Sequence, residues 1–256
     1  MPQVKAYKRW HRSLSKQQQA RLPQPGSIIA SSFTSPIDAV YLAAIFDPIF
    51  TASYPNTLQV ERISLLQAIL RAFTQPSTQP APGTQLVDVA ILLERYPSRP
   101  VVLFPECTTT NSRAVLPLSR SLLGVPSKTK IFPVSLRYTP VDVVTPLPGS
   151  YLSFLWTLLN KPTHCIRVRI AEYVLGTRGK VDERPAPSTR KSTYHTNYLD
   201  TLAQSPDEDE VTASEKALLD QVGESLARLG RVKRVGLGVK EKREFVRMWS
   251  KTRRTW

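Results

Sequence analysis

The segment from Phe104 to Arg113 contains the side chains best suited to chemistry in this sequence. It holds Glu106 and threonines at positions 108–110, and it directly follows the apolar run Val101-Val102-Leu103, which predicts a central parallel strand. Ligands of open α/β sheets bind beyond the carboxyl ends of strands, and free amides and hydroxyls in a turn can hold a phosphate. The segment therefore predicts a ligand-binding turn, with a threonine-rich turn around a satisfied carboxylate as the alternative.

The elements around this segment alternate between strands and helices. Short apolar runs predict the strands, and apolar residues at helical spacing predict the helices between them. The alternation indicates an α/β protein with a central sheet flanked by helices, rather than a bundle or a sandwich. The predicted strands are Ser27–Ser32, Ile49–Ala52, Val101–Phe104, Ile131–Arg137 and Ile166–Ala171, and the predicted helices are Ile37–Phe46, Leu65–Phe73 and Leu86–Tyr96.

Composition divides the chain into four parts. Residues 1–26 form a basic segment, residues 27–176 the α/β domain, and residues 177–211 a polar loop that ends in an acidic run. We expect the stretch from Arg178 to Glu210 to be mobile because it is polar and contains prolines. Thr212 and Glu215 form a capping box, so residues 212–256 are predicted to begin with a helix that packs on the same domain and to end in a basic tail.

The charge of the chain indicates an anionic partner. The formal net charge is +15, and basic residues concentrate at the two ends. Such ends suit either nucleic acid or an anionic membrane surface. The predicted strands lack the aromatic residues interleaved with basic ones that single-stranded nucleic acid requires, which favours the membrane. We expect binding to anionic vesicles that weakens as salt rises, because salt screens exposed charges.

Hydropathy gives no candidate for a membrane-spanning helix. The chain has no run of about 18 apolar residues, and the apolar segment Tyr151–Leu159 is too short to cross a bilayer. That segment could lie in a lipid interface with Lys161 at the anionic surface, or it could be a buried helix. Cys107 and Cys165 lie far apart without CxxC spacing, so we expect no metal site and no disulfide framework.

Three segments, in order, resemble the glycerolipid acyltransferase family. Phe104-Pro105-Glu106-Cys107-Thr108 is similar to that family's Phe-Pro-Glu-Gly-Thr block. Residues 32–38, from Ser32 to Asp38, resemble its first block, a histidine followed four positions later by an aspartate. Ile131–Ser135 resembles its last block, a proline inside an apolar strand. The likeness extends from about Ser27 to Val174 and is closest to the fungal lysophosphatidic acid acyltransferase group linked to vacuolar sorting and lipid droplets.

The resemblance implies roles for particular residues. In the family, the histidine takes a proton from the acceptor's hydroxyl, the aspartate orients the histidine, and the alkoxide attacks the thioester of acyl-CoA. Asp38 matches that aspartate. The glutamate block and a nearby arginine bind the acceptor's glycerol phosphate, and Glu106, Cys107, Thr108 and Arg113 correspond to these positions. The resemblance implies a glycerol-3-phosphate acyltransferase-like sheet, acyl-CoA as co-substrate, and no metal or other cofactor.

Two residues depart from the family pattern. Phe33 stands where the histidine is expected, and a phenyl ring can neither accept a proton nor donate to a carboxylate. Cys107 replaces the glycine after the glutamate, which would cost about 1–2 kcal/mol if that position needs a positive φ angle. The family's second block, a glycine followed by an apolar strand and an arginine, has only weak counterparts in Val60-Glu61-Arg62 and Leu70-Arg71.

Three alternatives could account for the missing histidine. Asp38 could itself act as the base, the alignment of the first block could be wrong, or another histidine could enter the site. Of the three histidines, His11 and His195 lie in predicted tails, and His164, which precedes a predicted strand, is the credible substitute. Loss of general-base catalysis typically lowers the rate by about 10²–10⁴.

The sequence therefore supports two functions. The first is acyl-CoA-dependent acylation of lysophosphatidic acid or a related lysophospholipid to phosphatidic acid, impaired by Phe33. The second is a catalytically inactive, acyltransferase-like protein that binds lipid. Either would act at a membrane, on the cytosolic face of the endoplasmic reticulum or on a lipid droplet.

Overall fold

A computed structural model of the chain describes residues 21–145, 147–149, 151–178 and 212–252. A mixed sheet contains eight strands: β1 (Ile28–Ser31), β2 (Ile49–Ala52), β3 (Val60–Ile63), β4 (Leu86–Val87), β5 (Val101–Leu103), β7 (Lys130–Thr139), β8 (Cys165–Ile170) and β9 (Val174–Leu175). Seven of them have the order β4-β3-β2-β5-β1-β7-β8, and β9 pairs with β7. The remaining strands, β6 (Ala114–Val115) and β10 (Lys233–Arg234), pair with each other.

The four central strands are parallel. Ile28 of β1 lies opposite Val101 of β5 on one side and Ile131 of β7 on the other, and β2 pairs with the far edge of β5. The apolar residues of these strands are buried, as apolar runs predict. The prediction that Val101–Phe104 is a central strand is confirmed. The antiparallel strands β3, β4, β8 and β9 extend the sheet at both sides.

Helices cover both faces of the sheet. The helices are α1 (Pro36–Phe46), α2 (Leu65–Arg71), α3 (Val89–Arg95), α4 (Tyr151–Leu159), α5 (Ala213–Gly230) and α6 (Val239–Thr252), with short 3₁₀ helices at Arg120–Gly124 and Val141–Val143. Buried residues of α1, α2 and α4 join the cluster that contains Ile29 and Val102. Buried residues of α3 and α5 join the cluster around Ile28 and Val101. The α/β architecture predicted from sequence is therefore confirmed.

Local sequence signals set the starts of several helices. Pro36 occupies the first turn of α1, where its missing amide hydrogen costs nothing, and the Ser35 hydroxyl accepts from the backbone of the helix. Ser64 and Gln67 form a capping box at α2. The predicted capping box of Thr212 and Glu215 begins α5.

Two regions differ from the sequence prediction. The predicted helix Leu86–Tyr96 starts later, because Leu86 and Val87 pair with β3 as strand β4 and Asp88 is the N-cap of α3. The predicted basic tail also contains the helix α6. Val239 and Val246 of α6 are buried, so an apolar stripe among basic residues holds this helix against the rest of the protein.

Helix α4 is mostly exposed to solvent, and only Phe154 is buried. Leu152 is 83% exposed, Trp156 73% and Leu159 79%. The alternative of a buried helix is therefore wrong. None of the helices in the described ranges combines the length and the apolar character needed to cross a membrane.

Some sequence predictions lie outside the described residues. These are the basic segment up to residue 20, all but the first residue of the stretch Arg178–Glu210 for which mobility is predicted, and the last four residues of the tail. Arg178 is described, and its guanidinium forms an ion pair with Asp88 at 2.6 Å. The division of the chain into four parts stays a prediction.

Candidate functional site

The first part of the candidate site is the turn between β1 and α1, which holds Phe33 and Asp38. The Oδ2 atom of Asp38 accepts hydrogen bonds from the backbone amides of Thr34 at 2.6 Å and Ser35 at 2.9 Å, and from the Thr34 hydroxyl at 3.2 Å. The Tyr138 hydroxyl, which comes from β7, donates to Oδ1. Asp38, in the first turn of α1, therefore binds the two backbone amides that precede the helix and links the helix to strand β7 through Tyr138.

These contacts limit what Asp38 can do. Its side chain is fully buried, and burial raises its pKa to about 6, while hydrogen bonds from Tyr138, Thr34 and Ser35 act in the opposite direction. Burial and the neighbouring Asp38 charge in turn raise the pKa of Tyr138. Both carboxylate oxygens of Asp38 are occupied by the protein's own donors. The geometry thus gives no support to Asp38 as a base that acts on a bound substrate.

Phe33 lies at the wall of a cleft. Its side chain is buried, and its ring lies against that of Phe104 with 4.5 Å between ring centroids. The cleft is narrow: its cavity volume is about 10 Å³, close to what a single water molecule needs. It is lined by Phe33, Thr51, Ala52, Ser53, Ile63, Ala68, Arg71, Phe104 and Cys107.

The charged group of this cleft is Arg71, at the end of α2. Its guanidinium lies 3.5 Å from the Glu61 carboxylate and 5.0 Å from the centre of the Tyr54 ring. Sequence analysis gave Arg71 only as a weak counterpart of the family arginine, and the fold brings it to the same cleft as Phe33. The other counterpart, Arg62, is exposed and lies 4.9 Å from the Tyr96 ring.

The two chemistry-bearing turns meet at the carboxyl ends of β1 and β5. The Thr110 amide donates to the Phe33 carbonyl at 2.8 Å, and both Phe33 and Cys107 line the cleft. Because β1 and β5 are adjacent and parallel, the turns that follow them share one edge of the sheet.

Cys107 has a left-handed backbone, with φ at 58°. Its amide donates to the Phe104 carbonyl at 3.1 Å, so the chain turns sharply directly after the strand. A side chain at such a position costs about 1–2 kcal/mol relative to glycine. Burial raises the pKa of the Cys107 thiol to about 12, so the group is a thiol rather than a thiolate at neutral pH.

Glu106 points into the protein, and only 1% of it is exposed. One of its oxygens accepts from the Leu116 amide at 3.2 Å. Burial raises the pKa of Glu106 to about 8, against the lowering effects of the Leu116 hydrogen bond and the Lys242 charge, while the Asp38 charge raises it slightly further. The carboxyl group is therefore mostly protonated at neutral pH, and it does not line the cleft.

Lys242 of α6 is a site residue that sequence analysis missed. Its ammonium group donates to the hydroxyls of Thr108 at 2.9 Å and Thr109 at 3.0 Å, and to the Thr109 carbonyl. Burial lowers its pKa to about 8, and the nearby Glu106 charge opposes that shift. The repeating apolar positions Val239 and Val246 could have revealed the helix, but no local signal connects it to Thr108.

Two predicted site residues lie apart from these contacts. The Nε2–H of His164 donates to the Leu158 carbonyl at 2.8 Å, and the other ring nitrogen is buried without a partner in the described part of the chain. The pKa of Asp142 is lowered chiefly by a hydrogen bond from Lys161 and more weakly by His164. The contacts of His164 therefore lie around α4, and none of them reaches Phe33 or Asp38. Arg113 is exposed, and its amide bonds to the Asn111 side chain.

The arrangement can bind a ligand more readily than it can remove a proton. Among the described residues, the cleft lining contains hydroxyls, a thiol and a guanidinium, but neither a histidine nor a carboxylate. His11 and His195 lie outside the described residues. Within the same ranges, histidine, cysteine and acidic side chains form no group of three that could hold a metal ion.

Comparison with known proteins gives one similarity. The chain is 30% identical over 160 residues to a Schizosaccharomyces pombe protein named "Putative lysophosphatidic acid:oleoyl-CoA acyltransferase". The aligned part is 62% of this chain and 53% of that relative, so the chain spans about half the length of the relative. No protein-family model and no solved structure matches the chain. The similarity supports kinship with acyltransferases.

Proposed function

We propose that this protein is an acyl-CoA-dependent acyltransferase that acts on lysophosphatidic acid or a related lysophospholipid to form phosphatidic acid. The observation that carries the proposal is the meeting of the Phe33 turn and the Glu106 turn at one cleft, joined by the hydrogen bond from the Thr110 amide to the Phe33 carbonyl. The similarity to a relative named for this chemistry supports the same proposal. The proposed fold is that of the glycerol-3-phosphate acyltransferases.

In this proposal the acceptor's headgroup lies at the mouth of the cleft beside Phe33, and the cleft walls move apart to admit it. The guanidinium of Arg71 supplies a positive charge for the acceptor's phosphate, and the turn from Glu106 to Thr110 forms the neighbouring wall. The acceptor's hydroxyl attacks the thioester carbonyl of acyl-CoA, and CoA leaves as its thiol. Because Phe33 cannot take the hydroxyl proton, rate enhancement comes from positioning the two substrates, and we expect slow transfer.

The second candidate is a lipid-binding protein that performs no transfer. Two observations favour it: Phe33 fills the position of the base, and Asp38 is saturated by Thr34, Ser35 and Tyr138. In this case the cleft and Arg71 recognise a phospholipid and no reaction follows.

The deciding experiment is an acyl-transfer assay with lysophosphatidic acid and oleoyl-CoA. Wild-type protein is compared with Phe33→His, with the control Phe33→Leu, and with Phe33→His/Tyr138→Phe. The double variant frees the Oδ1 atom of Asp38 to accept from the new imidazole. Since general-base catalysis contributes about 10²–10⁴ in rate, even partial recovery is measurable.

Each outcome selects one function. Slow transfer by wild type that rises in the histidine variants, but not in Phe33→Leu, supports the impaired enzyme. Binding of lysophosphatidic acid without transfer by any variant supports the lipid-binding protein. If wild type is active and the histidine variants add nothing, His164→Ala tests the substitute base. Absence of both transfer and lipid binding would reject both functions.

The acceptor site has its own test. We expect Glu106→Ala to weaken binding of lysophosphatidic acid under either function, because it removes the group around which the turn is built. Lysophosphatidic acid binding is measured by calorimetry, with exposed Glu94→Ala on α3 as the control. Unchanged affinity in Glu106→Ala would show that the turn does not bind the acceptor.

We also propose that α4 contacts an anionic membrane surface, on the endoplasmic reticulum or a lipid droplet. Its exposed residues Leu152, Trp156 and Leu159 lie on one stripe, and Tyr151 contacts Phe73 with 4.5 Å between rings, close to the cleft wall formed by α2. Leu152→Ser/Trp156→Ser should weaken flotation with anionic vesicles, whereas Ile91→Ser on α3 should not. Equal flotation of both variants would remove α4 from the interface.

A further inference from the structure

Four arginines gather at one edge of the sheet, on the face opposite the Phe33 cleft. Arg137 of β7 and Arg167 of β8 lie directly opposite each other in the antiparallel ladder, and Arg169 lies two residues further along β8. Arg231 follows α5, whose Leu229 carbonyl accepts from the Arg169 guanidinium at 2.7 Å. We call Arg137, Arg167, Arg169 and Arg231 the arginine cluster.

Strand alternation places the cluster away from the cleft. Val134 and Leu136 of β7 face the helices α1, α2 and α4, so Ser135 and Arg137 face the α5 side. The space beside Gly230 at the end of α5 lies next to the Ser135 hydroxyl, which confirms that α5 ends over this part of the sheet. A ligand of the arginine cluster would therefore not occupy the Phe33 cleft.

Within the described residues, the positive charge of the cluster has no acidic partner. None of its members forms an ion pair with a carboxylate in the described part of the chain. Burial, and then the charges of Arg231, Arg167 and Arg137, lower the pKa of Arg169. Like charges placed directly across an antiparallel pair destabilise the pair, so Arg137 and Arg167 reduce the stability of the unliganded protein.

Structural roles account for only part of the cluster. Arg169 satisfies a carbonyl at the end of α5, and a helix terminus attracts cations with a partial charge of about −0.5. That partial charge is small against four guanidinium groups, and it leaves Arg137 and Arg167 without a function. Arg137 is half-buried and Arg167 is exposed, so both can contact a ligand.

We propose that the arginine cluster is a binding site for a phosphate-bearing anion, separate from the proposed acyl-transfer cleft. Guanidinium groups form paired hydrogen bonds with phosphate oxygens, and several arginines on adjacent strands match a group with several anionic oxygens. Bound phosphate relieves the repulsion between Arg137 and Arg167. The phosphate belongs either to an anionic lipid headgroup or to a soluble phosphate compound.

The test combines binding with thermal unfolding of the full chain. Pyrophosphate represents soluble phosphates, and a water-soluble short-chain phosphatidic acid represents the lipid headgroup. The test variant is Arg137→Gln/Arg167→Gln, and Arg95→Gln/Lys128→Gln is the control, because it removes two exposed charges elsewhere. A second variant, Arg137→Lys/Arg167→Lys, keeps the charge and removes the paired geometry, so it tests the site if the glutamine variant does not fold.

We expect wild type and the control to bind at least one probe and to gain melting temperature from it. The glutamine variant should have a higher melting temperature than wild type without the probe. Its affinity for the probe should be at least about tenfold lower than that of wild type. The lysine variant should bind more weakly than wild type with unchanged melting temperature in the absence of the probe. Binding of phosphatidic acid alone identifies a lipid headgroup, and binding of pyrophosphate identifies soluble phosphate.

Two results would overturn the proposal. The first is that wild type binds neither probe. The second is that the control variant loses as much affinity as the arginine variants, which would mean that overall charge causes the binding. Neither result bears on the acyl-transfer assay, because the arginine cluster lies on the other face of the sheet.

Discussion

Asp38 and Glu106 are both withdrawn from solvent, but their surroundings differ. Asp38 accepts from two backbone amides, a threonine hydroxyl and the Tyr138 hydroxyl. Glu106 accepts from the Leu116 amide and is also attracted by the Lys242 charge. Hydrogen bonds to a carboxylate offset the cost of its burial, so the pKa of Asp38 rises only to about 6 and that of Glu106 to about 8. Asp38 is thus a structural anion, whereas Glu106 is mostly neutral and retains capacity for another partner.

The largest effect is expected from removing the Asp38 carboxylate. Asp38→Ala leaves the amides of Thr34 and Ser35 and the Tyr138 hydroxyl without their acceptor, and each buried unsatisfied group costs about 1–3 kcal/mol. We expect a loss of about 3 kcal/mol in the free energy of unfolding, measured by denaturant titration. Asp38→Asn, which keeps one acceptor oxygen, should lose less. A wild-type denaturation midpoint in Asp38→Ala would contradict the structural role of Asp38.

The second expected effect is a pH dependence that separates the two carboxyl groups. Both folded pKa values are raised, so the folded state binds more protons than the unfolded state and stability falls as pH rises. Asp38 contributes this loss from its ordinary pKa of 3.8 to about 6, and Glu106 contributes it from 4.5 to about 8. The slope is up to about 1.4 kcal/mol per pH unit for each group.

Glu106→Gln should remove the loss between pH 6 and about 8 and also the Glu106 share of the loss between pH 4.5 and 6, and it should leave the Asp38 share. Unfolding is measured below pH 8, where Lys242, whose pKa is lowered to about 8, contributes little. Below pH 4.5 the variant should be about as stable as wild type, because glutamine resembles the protonated acid, and at pH 7 it should be more stable than wild type. A pH profile identical to that of wild type would mean that Glu106 is not the group that titrates.

A smaller effect is expected from Tyr138→Phe, which removes one of the donors to Asp38. We expect a loss of about 1 kcal/mol in the free energy of unfolding, since a single hydrogen bond is removed and the amides of Thr34 and Ser35 remain. Tyr41→Phe, in a partly buried tyrosine of α1, is the control. A loss as large as that of Asp38→Ala would mean that Tyr138 holds the turn by more than this bond.

The smallest effect concerns the Glu106 turn itself. Cys107→Gly and Cys107→Ala both remove the thiol, but only glycine adopts a φ of 58° without strain. Cys107→Gly should therefore be more stable than Cys107→Ala by about 1 kcal/mol in thermal or chemical unfolding. Equal stability of the two variants would show that the left-handed turn stores no strain.

The sequence by itself determined the elements that depend on neighbouring residues. The apolar runs of β1, β2, β5 and β7 were recognised because buried strands are largely apolar. The starts of α1 and α5 were recognised because Pro36 and the pair Thr212 and Glu215 act within one helical turn. The turn after β5 could be identified as a candidate site because strand ends converge at one edge of the sheet.

The tertiary structure alone decided which side chains complete the site. Tyr138 is 100 residues from Asp38 and Lys242 is 134 residues from Thr108, and no local pattern relates either pair. The short strands β3 and β4 also escaped prediction, because their pairing with each other, rather than their own composition, makes them strands. Local hydrogen bonding can be read from spacing along the chain, whereas contacts between distant residues exist only after the sheet has brought the strands together.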